Sequence, residues 1–75
     1  MLSASSLKVG DILDNFGEEW IVSRLHRRGP DRLVYEVDMR REHRDAFGKV
    51  VAEHRSFPAR SLEHMRKITE TRRSR

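Results

Sequence analysis

Residues 40–55 read RREHRDAFGKVVAEHR, and the segment fits two incompatible backbones. Ala46, Phe47, Val50 and Val51 fall at helical spacing, with Asp45 four residues before Lys49 as a surface pair. That apolar face is thin for four turns, and Gly48 in mid-helix costs about 1 kcal/mol relative to alanine. The alternative folds the segment back on itself, with Gly48 in the turn and residues 49–57 as the returning strand. There Val51, Glu53, Arg55 and Phe57 alternate with Val50, Ala52, His54 and Ser56. The neighbouring sequence favours the hairpin. Upstream, Leu33, Tyr35, Val37 and Met39 alternate with Val34, Glu36 and Asp38, a period of two that marks a strand in need of an adjacent partner. Downstream, Pro58 blocks a helix and holds Phe57 extended.

Working outward, Gly29-Pro30-Asp31 is a strong turn, because Pro30 presets φ and Asp31 can bond its own backbone. Before it, EWIVSRLHRR (19–28) is rich in β-branched and aromatic residues. Trp20 and Val22 share one face while Ile21 and Leu25 lean to the other, a conflict that a β-bulge reconciles. Gly17 supplies a second turn, and Gly10-Asp11 a third, leading from Leu7 and Val9 into a strand containing Ile12. Beyond Pro58, residues 59–63 fit one tight 3₁₀-like turn with Leu62 inward, and HMRKI (64–68) a short closing strand carrying Met65 and Ile68. A helix over residues 59–70 is the competing reading. The small polar start, residues 1–6, reads as disordered; residues 7–69 read as one domain; residues 70–75 read as a basic tail.

The 75 residues contain no cysteine, 36% hydrophobic and 37% charged residues, so the core is small and has neither a disulfide staple nor a thiolate metal site. No apolar run reaches the roughly 18 residues of a spanning helix. The start lacks the basic and apolar segments of a signal peptide. A soluble, cytoplasmic protein is the expectation, without a membrane partner. Self-association into a homodimer or higher homo-oligomer would add buried area. Residues 1–20 carry Lys8 against Asp11, Asp14, Glu18 and Glu19, a net −3; the remainder carries 15 Lys and Arg against 8 Asp and Glu, a net +7. All basic residues except Lys8, Lys49 and Lys67 are arginine, whose planar fork suits phosphate and carboxylate pairing.

The order of elements resembles an SH3-like small barrel over residues 7–69. The resemblance rests on LKVGDIL (7–13), EEWIVSRL (18–25), LVYEVDM (33–39) and FPARSLEHM (57–65). It implies an all-β fold, a five-stranded SH3-like barrel with a short 3₁₀ turn before the last strand. Within that superfamily, the Gly-Asp start, the Trp-bearing second strand and the P-x-x-x-L-E ending also resemble the plasmid-type dihydrofolate reductases. Those enzymes carry a Val-Gln-Ile-Tyr run before the proline, where this chain has His54, Arg55, Ser56 and Phe57. The ligand-contacting glutamine is absent, so the resemblance implies shared fold and not shared activity.

No catalytic constellation emerges. The dipeptides Glu42-His43, Glu53-His54 and Glu63-His64 lie ten or eleven residues apart, without the convergent spacing of metal ligands. His43 and His54 would at best face each other across the hairpin. There is no Gly-x-Ser-x-Gly turn and no glycine-rich phosphate loop. The chain therefore reads as a non-enzymatic binding module with no catalytic residue, metal or cofactor. Two clusters of arginine bracket the turns: Arg24, Arg27, Arg28 and Arg32, then Arg40, Arg41, Arg44 and Lys49, with Arg55 on the returning strand. If loops at one end of a barrel bring them together, the cationic rim binds nucleic acid, with Tyr35, Phe47 and Trp20 available to stack bases where exposed. Against that stand core positions for Trp20 and Tyr35, and pairing of the arginines with Asp31, Glu36, Asp38, Glu42 and Asp45. The alternative function is protein interaction, through Phe47 in a charged hairpin or through an edge strand.

Overall fold

The computed structural model describes residues 2–68. Five antiparallel strands form one sheet: β1 (Ile12–Asn15), β2 (Glu18–Arg28), β3 (Leu33–Arg44), β4 (Val50–Pro58) and β5 (Arg66–Lys67). Their order across the sheet is β4-β3-β2-β1-β5. The segment 40–55 is a hairpin, with Arg44 opposite Val50 and Met39 opposite Arg55 in an unbroken register. Its turn closes through Gly48 N–H to Asp45 O at 3.0 Å and Asp45 N–H to Lys49 O at 2.9 Å. Gly48 takes φ +78°, which only glycine adopts without cost. The Asp45 carboxylate accepts from the Phe47 and Lys49 amides, which fixes the loop.

Two bulges set the faces of the sheet. Ser23 is the extra residue on β2, between the Val22–Met39 and Arg24–Asp38 pairs, where the conflicting pattern of 19–28 required one. Tyr35 is the extra residue on β3, between the His26–Glu36 and Arg27–Val34 pairs. This second bulge corrects the simple alternation of 33–39. Val37 and Met39 are buried as expected, but the phase reverses at Tyr35, so Val34 enters the core and Leu33 and Tyr35 are exposed.

The core comprises Leu7, Leu13, Trp20, Val22, Val34, Val37, Met39, Phe57, Leu62 and Met65. Trp20 is fully buried and meets Phe57 edge to face at 5.3 Å. Pro58 ends β4 and a 3₁₀ turn follows over Ala59–His64, burying Leu62; the competing long helix does not form. β5 then pairs with Leu13 and Asp14 of β1, and Ile68 N–H donates to Ile12 O at 2.8 Å. The start of the chain, expected to be disordered, forms a 3₁₀ turn over Ala4–Ser6, with Leu2 and Ala4 against the core. The basic tail, residues 70–75, lies outside the described residues. Asp11 is buried; its carboxylate accepts from the Lys8 amide at 2.9 Å and meets the Lys67 ammonium at 3.6 Å, tying the entry of β1 to β5.

The radius of gyration is 13.2 Å and the long axis 47 Å. A compact chain of this length has a radius near 11 Å by the usual scaling, roughly. The excess comes from the β3–β4 arm, which runs on past the last pairing of β3 with β2, at Ile21–Arg40, to a tip where Phe47 is 94% exposed.

Candidate nucleic-acid interface

Antiparallel connectivity separates the two turns, although Arg24 lies mid-strand opposite Asp38, one same-face step along β3 from Arg40. The β2–β3 and β3–β4 turns lie at opposite ends of β3, a 12-residue strand. At ~3.3 Å per residue they are roughly 35–40 Å apart. The single cationic rim expected from sequence is therefore not formed, because successive turns of a meander alternate ends.

At the β2–β3 end, Gly29–Arg32 forms a tight turn with Arg32 N–H donating to Gly29 O at 3.1 Å. Arg27 reaches across it and donates from Nη1 to Arg32 O at 3.0 Å. Arg32 itself is held at φ +56°, in the left-handed region that costs a side-chain-bearing residue about 1 kcal/mol. Arg28 lies with its guanidinium carbon 4.4 Å from the centroid of the Tyr35 ring, which is 41% exposed. Tyr35 owes its exposure to the bulge. Among the described residues, no carboxylate lies within 4.0 Å of Arg24, Arg27, Arg28 or Arg32. A hollow of about 410 Å³ opens beside this end, between Leu33, Ala4, Ala59 and Arg60.

The β3–β4 arm uses its cations differently. Arg41 pairs with Glu18 at 2.9 Å and with Glu53, directly opposite on β4, at 3.0 Å. Arg55 meets the second oxygen of Glu53 at 2.7 Å. Both guanidinium groups lie over the Trp20 indole, at 5.5 and 5.4 Å. Together they close the core where the arm leaves the sheet, and the Glu53 carboxyl is held below its ordinary range, first by the Arg41 hydrogen bond. Arg40 pairs with Glu42 at 3.5 Å, and Arg44 donates to Gly48 O at 2.7 Å. Of the five carboxylates expected to neutralise arginines, Glu42 alone makes an ion pair with one among the described residues, while Asp38 faces Arg24, whose charge, after Ser56 and His26, helps lower its pKa. Asp45 holds its turn, and Asp38 also serves a different group.

That group was not legible from the Glu-His dipeptides. His26 Nε2 lies 2.9 Å from Asp38 Oδ2, and the Ser56 hydroxyl donates to Asp38 Oδ1 at 2.7 Å. Ser56 and His26 hold the Asp38 carboxyl below its ordinary value, Ser56 most strongly. The wiring does not make a nucleophile: the aspartate stands between histidine and serine, so the imidazole has no path to the hydroxyl proton. Glu36, directly opposite His26, brings a second carboxylate, and the three ligand atoms lie within 4.8 Å of one another. Both Asp38 oxygens already have hydrogen-bond partners, which accounts for the cluster without an ion. The dipeptide histidines do not converge. His43 pairs with Val51 and His54 with Arg40, on opposite faces of the hairpin, so they do not face each other. His64 stacks on Phe16 at 4.8 Å and reaches Asn15 Oδ1 at 3.1 Å.

No family model, curated protein or solved structure matches the chain.

Proposed function

We propose that the protein is a non-enzymatic binding module, an SH3-like small barrel in type, that binds single-stranded nucleic acid at the β2–β3 end. The observation that carries this is the concentration of Arg27, Arg28 and Arg32 around one turn, free of carboxylate partners among the described residues and beside the half-exposed Tyr35. Guanidinium forks without carboxylate partners suit phosphate oxygens, and the Arg28–Tyr35 stack offers a planar surface for a base. The strand order, the 3₁₀ turn before β5 and the β1–β5 pairing support the SH3-like reading. No helix among the described residues is long and apolar enough to cross a membrane.

Binding to mixed-sequence DNA and RNA oligonucleotides, followed by fluorescence anisotropy as salt is raised, tests the reading. Three phosphate contacts give a log–log slope of roughly −2 on a single strand. Absence of binding at low ionic strength overturns it.

A second reading rests on one observation, the 94% exposure of Phe47 at the tip of the arm. An exposed aromatic with a polar surround is a docking anchor for another protein. Phe47→Ser discriminates: if the arm docks a protein, the variant loses that association, while nucleic-acid binding at the β2–β3 end is unchanged.

A further inference from the structure

The sheet ends on β4, a nine-residue edge strand. Exposed edges are ordinarily blunted by charged side chains (lysine above all), interior proline, bulges or brevity, because their free backbone groups template pairing with another chain. β5, at the other edge, has two residues. β4 has no lysine, its only proline is its last residue, and its pairing with β3 has no register shift; its charges are one acid and one base, Glu53 and Arg55, which repel a like edge only in the wrong register. Among the described residues, no backbone hydrogen bond between elements reaches its outer side. Counting from the Asp45–Lys49 bond that closes the turn, the alternation of the ladder directs the N–H and C=O of Ala52, His54 and Ser56 outward.

The sequence of this edge is self-complementary. Residues 51–57 read Val-Ala-Glu-His-Arg-Ser-Phe, which is apolar, small, acidic, His, basic, small, apolar. We infer that β4 pairs antiparallel with β4 of a second copy about a two-fold axis at His54. In that register Val51 lies opposite Phe57 of the second copy, Ala52 opposite Ser56, and Glu53 opposite Arg55. Each of these pairs occurs twice. Directly opposed residues share a face. Val51, Glu53, Arg55 and Phe57 all belong to the face that carries Trp20 and Met39, so the two cores become continuous.

The nearest alternative registers are unfavourable. Centring on Glu53 opposes it to itself, and centring on Arg55 does the same for that residue; like charges directly opposite destabilise a sheet. A slip of one residue continues the apolar face of one copy into the wet face of the other. The monomer already shows the pairing chemistry, since Glu53 and Arg55 meet at 2.7 Å along one strand. Across the axis each gains a facing partner. The dimer is isologous, as a two-fold contact requires. It occupies the edge of β4 and leaves the β2–β3 turn open, so it stands or falls independently of nucleic-acid binding.

Sedimentation of the full chain tests it. The wild type is expected to double in mass between micromolar and millimolar concentration. Glu53→Arg alone opposes Arg to Arg55, and Arg55→Glu alone opposes Glu to Glu53; each is expected to be monomeric. An equimolar mixture of the two restores complementary pairs at both positions and is expected to form a heterodimer. Because Glu53→Arg also disturbs Arg41, His54→Pro provides a second route. It removes an outward N–H, leaves the ladder to β3 intact, and is expected to be a folded monomer by circular dichroism. A wild type that remains monomeric at millimolar concentration overturns the inference. So does a mixture of folded single variants that fails to associate, or a folded His54→Pro that still dimerises.

Discussion

The two turns that bracket β3 are built from similar residues, several arginines around a glycine, yet their charges do different work. At the β3–β4 end, Arg41 and Arg55 are engaged by Glu18 and Glu53 and lie over Trp20. At the β2–β3 end, Arg27, Arg28 and Arg32 meet only a backbone carbonyl and a tyrosine ring among the described residues. The difference lies in cross-strand register. Arg41 faces Glu53, whereas Arg27 and Arg28 face Val34 and Leu33. A count of arginines cannot separate a structural cation from an available one; the residue opposite does.

Several substitutions break or sharpen this contrast. The largest effect is expected from Trp20→Ala, which removes the side chain that Arg41 and Arg55 cover. It costs about 3–5 kcal/mol, enough to unfold most of so small a domain. Thermal denaturation followed by circular dichroism reads it directly. Arg41→Ala is expected to lower stability by about 1 kcal/mol through its lost indole contact, with little change in nucleic-acid binding. Arg32→Gly is expected to do the opposite. Relief of the left-handed φ raises stability by up to about 1 kcal/mol, while loss of one cation weakens binding. Urea titration and anisotropy on the same sample separate the two effects.

The smallest effect is in acid. Asp38 and Glu53 both have folded-state pKa values below their ordinary 3.8 and 4.5. A depressed carboxylate pKa contributes stability that is present above the unfolded value and lost as pH falls through the folded one. Stability should therefore decline below about pH 4.5. Ser56→Ala removes the main cause of the Asp38 shift, so the variant should lose less stability between pH 5 and pH 2, having less to lose.

Much of the architecture was legible because strong local signals agreed. The period of two through Val37 and Met39, Gly48 in a turn and Pro58 at a strand end jointly exclude a helix over 40–55. The bulge at Ser23 was also visible, as a clash between Trp20-Val22 and Leu25. The bulge at Tyr35 was not, because Leu33-Val34-Tyr35 contains no polar residue that breaks the alternation. Its consequence reaches the candidate site, since that extra residue is what turns Tyr35 outward beneath Arg28. The His26–Asp38–Ser56 chain was hidden for a related reason. Its members come from three strands, and only the register places them together.

The claim that one end of β3 binds and the other supports the fold is tested most directly by two matched triple variants. Arg27, Arg28 and Arg32 are replaced by alanine in one; Arg40, Arg44 and Lys49 in the other. Both lose three positive charges, and Arg41 and Arg55 are left intact. Binding of each to a single-stranded oligonucleotide is measured across a salt series. The first is expected to lose most of its affinity, its slope shrinking by roughly 2 in magnitude, while the second stays close to the wild type. Equal losses in the two, or the larger loss in the second, would contradict the assignment.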